Sequence, residues 1–264
     1  MSGIAELERR VGELDDPAGS RRWPAGRDAV HDDIRRYIEV LETVTSTGDH
    51  ARIPVVAPAD ADRVAAAGRL LRRLDNAVPQ IVSGPVDRLS QYWISAGKPS
   101  WVAAREPQLS EAHFTAVTNT GALSHAGKPF TGGLYTSTGF PGSQGMWRAY
   151  LDLRDWNSLF ARPWLVWKVT GDAKAKILEV STASAWAGFV QRYPLTCGEL
   201  LYPDWAAGGE DYDAVHVTAR AIAAIQGLRL ATAAGLLAPG YWDVETTFWL
   251  RWRFGSARLE ETVD

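Results

Sequence analysis

The chain has 264 residues, a formal net charge of -3, 46% hydrophobic and 22% charged residues, and 12 tryptophans. That is the composition of a globular protein of one large domain or a domain with an appendage, and it gives no electrostatic case for nucleic acid as an obligate partner. The one cysteine, Cys197, excludes an intramolecular disulfide and a multi-cysteine metal site. With no apolar signal run at the N-terminus and no uncharged stretch of membrane-spanning length, a cytoplasmic protein is expected.

The first hundred residues read as helical. Ile4, Leu7, Val11 and Leu14 repeat at three and four, ending at Asp16-Pro17. Val30, Ile34, Ile38, Leu41 and Val44 form a clearer stripe, closed by Thr47-Gly48. Asp60 is the expected cap of a third helix with Val64, Ala67, Leu71 and Leu74 inward. Its Arg69, Arg72 and Arg73 read as a solvated face. Pro85 suits the first turn of a fourth helix carrying Val86, Leu89 and Trp93 and stopped at Gly97. Residues 1–106 are therefore expected to cover a sheet or to select a partner, and residues 107–264 to form an α+β domain.

From about Ser110 the pattern turns to β. Residues 112–118 (A-H-F-T-A-V-T) alternate, with His113, Thr115 and Val117 on one face; a Gly-rich link leads to a second strand at 134–138. Ser143 is the expected cap of a helix burying Met146, Tyr150 and Leu153. Strands at 164–170 and 174–181 flank Gly171-Asp172, a hairpin signal. Thr182 opens a helix with Trp186, Phe189, Val190 and Tyr193; Gly208-Gly209 lie in a polar link. A strand at 212–218, a helix at 219–226 and a brief strand at 227–232 follow. Finally, 241–254 (Y-W-D-V-E-T-T-F-W-L-R-W-R-F) alternates strictly and reads as one half-buried strand, placing Glu245 at its entry on the face that is not pure core.

The five histidines show no metal-ligand spacing, so no metal is expected. There is no G-x-S-x-G, no G-x-G-x-x-G and no Walker loop. What remains is His113, Tyr135 and Glu245 on three separate strands. In these residues the chain resembles the NAD-dependent ADP-ribosyltransferases of the His–Tyr–Glu kind, which include diphtheria-like toxins and poly-ADP-ribose polymerases. His113-Phe114-Thr115 matches that family's His and Thr but not its intervening Gly, and leaves His125 as an alternative. Gly133-Leu134-Tyr135-Thr136-Ser137 resembles its Gly-aromatic strand, and Glu245 follows an aromatic loop (237–242) as its catalytic Glu does. Arginine-bearing relatives carry a Ser-Thr-Ser strand, which Thr136-Ser137-Thr138 resembles; no Arg on the expected first strand matches theirs.

The resemblance implies an α+β fold with a split, mixed or antiparallel sheet and an N-terminal helical region, residues 107–264 being the NAD-binding catalytic domain. It implies NAD as co-substrate, Glu245 as the catalytic carboxylate, and His113, Thr115, Tyr135, Ser137, Tyr241 and Trp242 around NAD. Asp243, two residues before Glu245, would face the acceptor, whose identity (protein, nucleic acid or small molecule) stays open. The alternative is a non-enzymatic module whose Trp164, Trp167, Trp205, Trp242 and Trp249 hold a sugar or peptide.

Overall fold

A computed structural model describes residues 27–42, 58–96, 109–118, 128–129, 132–153, 160–238 and 240–264. The expected helix at 4–14, His125 and the boundary at 106/107 lie outside the described residues. The elements are α1 (Arg27–Glu42), α2 (Pro58–Asp75), α3 (Pro79–Val82), β1 (Gln91–Ser95), β2 (Leu134–Thr138), α4 (Met146–Leu153), β3 (Trp164–Gly171), β4 (Ile177–Val180), α5 (Ala183–Arg192), β5 (Pro194–Cys197), β6 (Leu200–Pro203), α6 (Trp205–Asp211), β7 (Ala214–Val217), α7 (Ala219–Ile225), β8 (Leu230–Thr232), β9 (Gly235–Leu237), β10 (Thr246–Trp249) and β11 (Phe254–Val263).

Seven strands form one mixed sheet in the order β11-β3-β1-β2-β10-β7-β4, and a smaller sheet runs β5-β6-β9-β8. The fold is α+β. In the large sheet only β4 and β7 run parallel. Its two halves meet at β1 and β2, which share only two register pairs, Gln91↔Thr138 and Tyr92↔Ser137. On one face the apolar stripes of α1 and α2 (Ile34, Ile38, Leu41, Val64, Leu71) join Tyr92, Ile94, Val166, Val215 and Phe248 in one core. The helices are tied into it by polar contacts as well: the Tyr37 hydroxyl donates to the Ala219 carbonyl at 2.6 Å, and Arg220 pairs with Asp75 at 2.7 Å. The opposite face buries a second, smaller cluster of Leu134, Val169, Trp249 and Phe254.

Several expectations change. The fourth helix is instead the short α3 followed by β1. Val86, Leu89 and Trp93 fall at helical spacing, yet Tyr92 and Ile94 are buried together at period two, and the strand wins because β2 and β3 flank it. β1 thus belongs to the middle of the sheet, and a division at 106/107 does not separate helices from strands. Residues 112–118 make no ladder; Glu111–His113 is a single 3-10 turn, after which Thr115 accepts one backbone bond from Gly133 at 2.8 Å. The turn at Gly171-Asp172 closes no hairpin, since β3 pairs β1 and β11 whereas β4 crosses to the far edge beside β7. The polar link around Gly208-Gly209 is helix α6, capped by Asp204, whose carboxylate accepts from Ala207 N–H at 2.8 Å.

The stretch 241–254 is not one strand. The Asp213 carbonyl accepts from the Leu250 and Arg251 N–H groups at 2.8 and 3.2 Å, breaking it into β10 and β11. Nor is β10 half-buried: it is central, and residues 244–250 are buried on both faces.

Candidate functional site

β10 lies between β2 and β7, with Thr247 opposite both Thr136 and His216. His216 in turn stands opposite Glu179 on β4, and Thr138 opposite Gln91 on β1. The result is a row of polar side chains crossing five adjacent strands, where alternation would ordinarily place apolar ones. Gln91, Thr136, Thr138, His216, Glu245 and Thr247 are all buried. Burying polar groups costs little only when each is hydrogen-bonded, so the row has to be read bond by bond.

Glu245, immediately before β10, has no solvent exposure. Its Oε1 accepts from Thr138 Oγ1 at 2.7 Å and from His216 Nε2 at 2.9 Å. Its Oε2 accepts from Ser137 Oγ and from Thr138 N–H, both at 2.9 Å. Four donors therefore saturate the carboxylate. Ser137 Oγ also accepts from Trp147 N–H at 3.3 Å, so a strand hydroxyl serves the first turn of α4; Ser143, the expected cap, turns toward the Gly145 carbonyl at 3.4 Å.

The network extends both ways. Trp249 Nε1 donates to Thr136 Oγ1 at 2.9 Å, Thr136 Oγ1 to Gln91 Oε1 at 2.6 Å, and Gln91 Nε2 to Thr138 Oγ1 at 2.8 Å. On the other side His216 Nδ1 meets Glu179 Oε2 at 2.6 Å, and Glu179 Oε1 accepts from Val86 N–H at 3.0 Å. Gly84, at φ +83°, makes room there: a Cβ would meet Glu179 Oε2 at 3.0 Å. Burial alone would lower the His216 pKa; the carboxylates on its two ring nitrogens outweigh it and raise the pKa to about 9. His216 is thus an imidazolium with both N–H groups donating. Burial pushes the Glu179 carboxyl up, but His216, the Val86 N–H and nearby Arg88 bring it below its ordinary value. The two carboxylates lie against opposite nitrogens of the ring, and among the described residues no group of three His, Cys, Asp or Glu is disposed to hold a metal ion.

The residues singled out in the sequence come together only in part. Ser137 and Glu245 touch. Tyr135 shares Ser137's side of β2 but is stacked on Phe248 with ring centroids 4.3 Å apart, its hydroxyl donating to the Pro129 carbonyl at 2.8 Å. His113 does not approach them: it is exposed, its ring bonded to Ser110 Oγ at 2.7 Å. Thr115 is exposed as well. The neighbouring Phe114 packs on Trp252 at 6.1 Å, beyond the opposite end of β10 from Glu245.

Tyr241 and Trp242 do not form an open aromatic loop either; both are buried, Trp242 edge-on to Trp186 and Trp205 at 5.7 and 5.9 Å. Asp243 has φ 63°, a conformation Asp tolerates better than most residues. Its Oδ1 accepts from Gln226 Nε2 at 2.9 Å while Gln226 Oε1 accepts from the Trp242 and Asp243 N–H groups at 2.8 and 3.2 Å, and Lys128 Nζ lies 4.0 Å from Oδ2. It is a folded-in turn residue. The tryptophans expected to form a binding face are mostly core: Trp164, Trp205, Trp242 and Trp249 are buried and Trp167 is half-buried.

Sequence reasoning missed Gln91, Glu179 and His216. His216 carried a signal, an imidazole inside the apolar strand A-V-H-V, but its partners are 29 and 37 residues away. Comparison with known protein families, curated proteins and solved structures finds no match. Among the described residues, no helix is long and apolar enough to cross a membrane.

Proposed function

We propose that the protein transfers ADP-ribose from NAD with release of nicotinamide, using Glu245 as the anion that stabilises the ribosyl cation. One observation carries this reading: the Glu245 carboxylate is fixed by Ser137 and Thr138 at the junction of the two half-sheets. That pairing of a late Glu with the Thr136-Ser137-Thr138 strand resembles the arginine-bearing transferases more than the His–Tyr–Glu ones, since His113 is remote. In such a reaction the nicotinamide leaves with the electron pair of its bond to the ribose, and positive charge spreads over the sugar. An acceptor hydroxyl, amine or water then bonds to that carbon and gives up a proton. A prearranged carboxylate in a site without water lowers the energy of the charged state more than a solvated one could. Because Glu245 is covered, NAD must displace side chains to reach it.

The test is Glu245→Gln, which keeps the size but removes the charge. Nicotinamide release should fall by about 10²–10³, the effect of removing one preorganised electrostatic group, with NAD affinity nearly unchanged because the loss is confined to the transition state. Near-normal turnover in a folded variant, checked by far-UV circular dichroism, overturns the reading.

The saturation and full burial of Glu245 favour a second reading, in which the carboxylate is a structural link between strands of a non-enzymatic protein. The wild type would then release no nicotinamide, and Glu245→Gln would alter stability alone.

A further inference from the structure

We infer that His216, anchored by Glu179, is the positioning residue that holds Glu245 as an oriented anion and sets the net charge presented to the substrate. This rests on the transferase reading. The geometry is specific: one imidazole bridges Glu245 Oε1 at 2.9 Å and Glu179 Oε2 at 2.6 Å. A carboxylate facing a lone imidazolium would be largely neutralised, and a neutral pair stabilises a ribosyl cation poorly. The second carboxylate changes that. Two anions and one cation leave the trio with one negative charge, so Glu245 keeps its field while His216 still fixes its rotamer.

The two outer groups are not equivalent. Glu245 is closed off on all sides, whereas the Glu179 side chain is 32% exposed. Glu179 is also held from the other direction by Val86 N–H, in the segment between α3 and β1. The charged groups facing the imidazole are Glu179 from β4 and Glu245 before β10, with Arg88 acting on it through Glu179. When His216 loses its proton it retains one N–H, and one carboxylate must go without a donor. Activity is therefore expected to decline on the alkaline side, as His216 titrates near 9.

The experiment uses the full chain, Glu179→Gln and His216→Gln, with two independent readouts. The first is ¹⁵N NMR of the His216 ring in the wild type. Both nitrogens should remain protonated through pH 8, and a ring titrating in the ordinary histidine range overturns the inference whatever the activity. The second is nicotinamide release against NAD concentration and pH. In Glu179→Gln kcat should fall by roughly 10- to 100-fold, the scale of a misplaced catalytic group, with KM nearly constant and the alkaline limb moved to lower pH. His216→Gln should lose kcat similarly and lose the alkaline limb altogether. Unchanged kcat and pH profile in folded variants overturn the inference while leaving the transferase reading intact. A wild type that releases no nicotinamide overturns both.

Discussion

The two faces of the seven-stranded sheet achieve burial in opposite ways. One packs Phe248, Tyr92 and Val215 against helices and a cluster of aromatic rings, including Trp186, Phe189, Trp205 and Trp242. The other carries the polar row from Trp249 through Gln91 and Glu245 to Glu179. On the aromatic face stabilisation scales with area removed from water, and many near-equivalent packings serve. On the polar face nearly every atom has an assigned partner, the Thr247 hydroxyl being the exception, and a missing partner costs more than the bond itself contributed. The apolar face is therefore expected to tolerate change better than the polar face.

The harshest way to break this comparison is to remove β1. A chain beginning near Pro107 lacks Gln91 and the strand between β2 and β3, along with the helices that complete the first core. It is expected to show no cooperative unfolding transition by circular dichroism in urea. A soluble fragment with a sharp transition would mean that the polar row and the helical layer are both dispensable.

Titration of His216 probes the polar face alone. Its folded pKa, about 9, lies above the value near 6.5 expected of an unfolded histidine. The folded state therefore binds the proton more tightly. The resulting stability is fully present below about pH 6.5 and is lost as pH rises through about 9. Urea midpoints measured from pH 6 to 10 should decline over that window, and His216→Gln should flatten the decline. An equally steep fall in His216→Gln would place the responsible group elsewhere.

How much of this was legible in the sequence follows the same division. Helix α5 was readable because its information is local: Thr182 stands before an apolar stripe, and Thr182 Oγ1 does accept from Ala185 N–H at 3.0 Å. The stripes of α1 and α2 and the strand readings at 134–138 and 212–218 were likewise sufficient. Glu245 and Ser137 were singled out, but not their contact. Glu245 was misplaced onto an open face because a period of two tells which side a residue occupies and not whether that side is covered. β1 was misread because Val86, Leu89 and Trp93 fall at helical spacing, and only its neighbours β2 and β3 decide otherwise. His113 and Thr115 matched a motif whose strand does not form here. The break between β10 and β11 depends on the carbonyl of Asp213, far away in sequence. Whatever required a distant partner was unreadable.

The smallest expected effect is also the most direct comparison, because the same residue is introduced on both faces. Gln91→Leu and Phe189→Leu each place leucine at a buried position. In the first, Thr136 Oγ1 loses its close acceptor and keeps only the Thr247 carbonyl at 3.4 Å, Thr138 Oγ1 loses its donor, and the leucine offers neither. The expected cost is about 2–3 kcal/mol, that of leaving buried polar atoms unsatisfied. Phe189 has no polar atom; its ring packs against Tyr193 and Trp205 with centroids 5.3 Å away in each case. Its replacement loses edge contacts and some volume, which neighbouring rings can partly refill, so the cost should be about 1–1.5 kcal/mol. Glycine 208 lies against that ring, where a Cβ would meet Phe189 at 3.0 Å, so space freed by the smaller side chain is bounded on that side by backbone. Urea denaturation of both variants at one pH gives the two numbers. If Phe189→Leu proved the costlier, the aromatic cluster would be the closely fitted part of the molecule and the polar row the adaptable one.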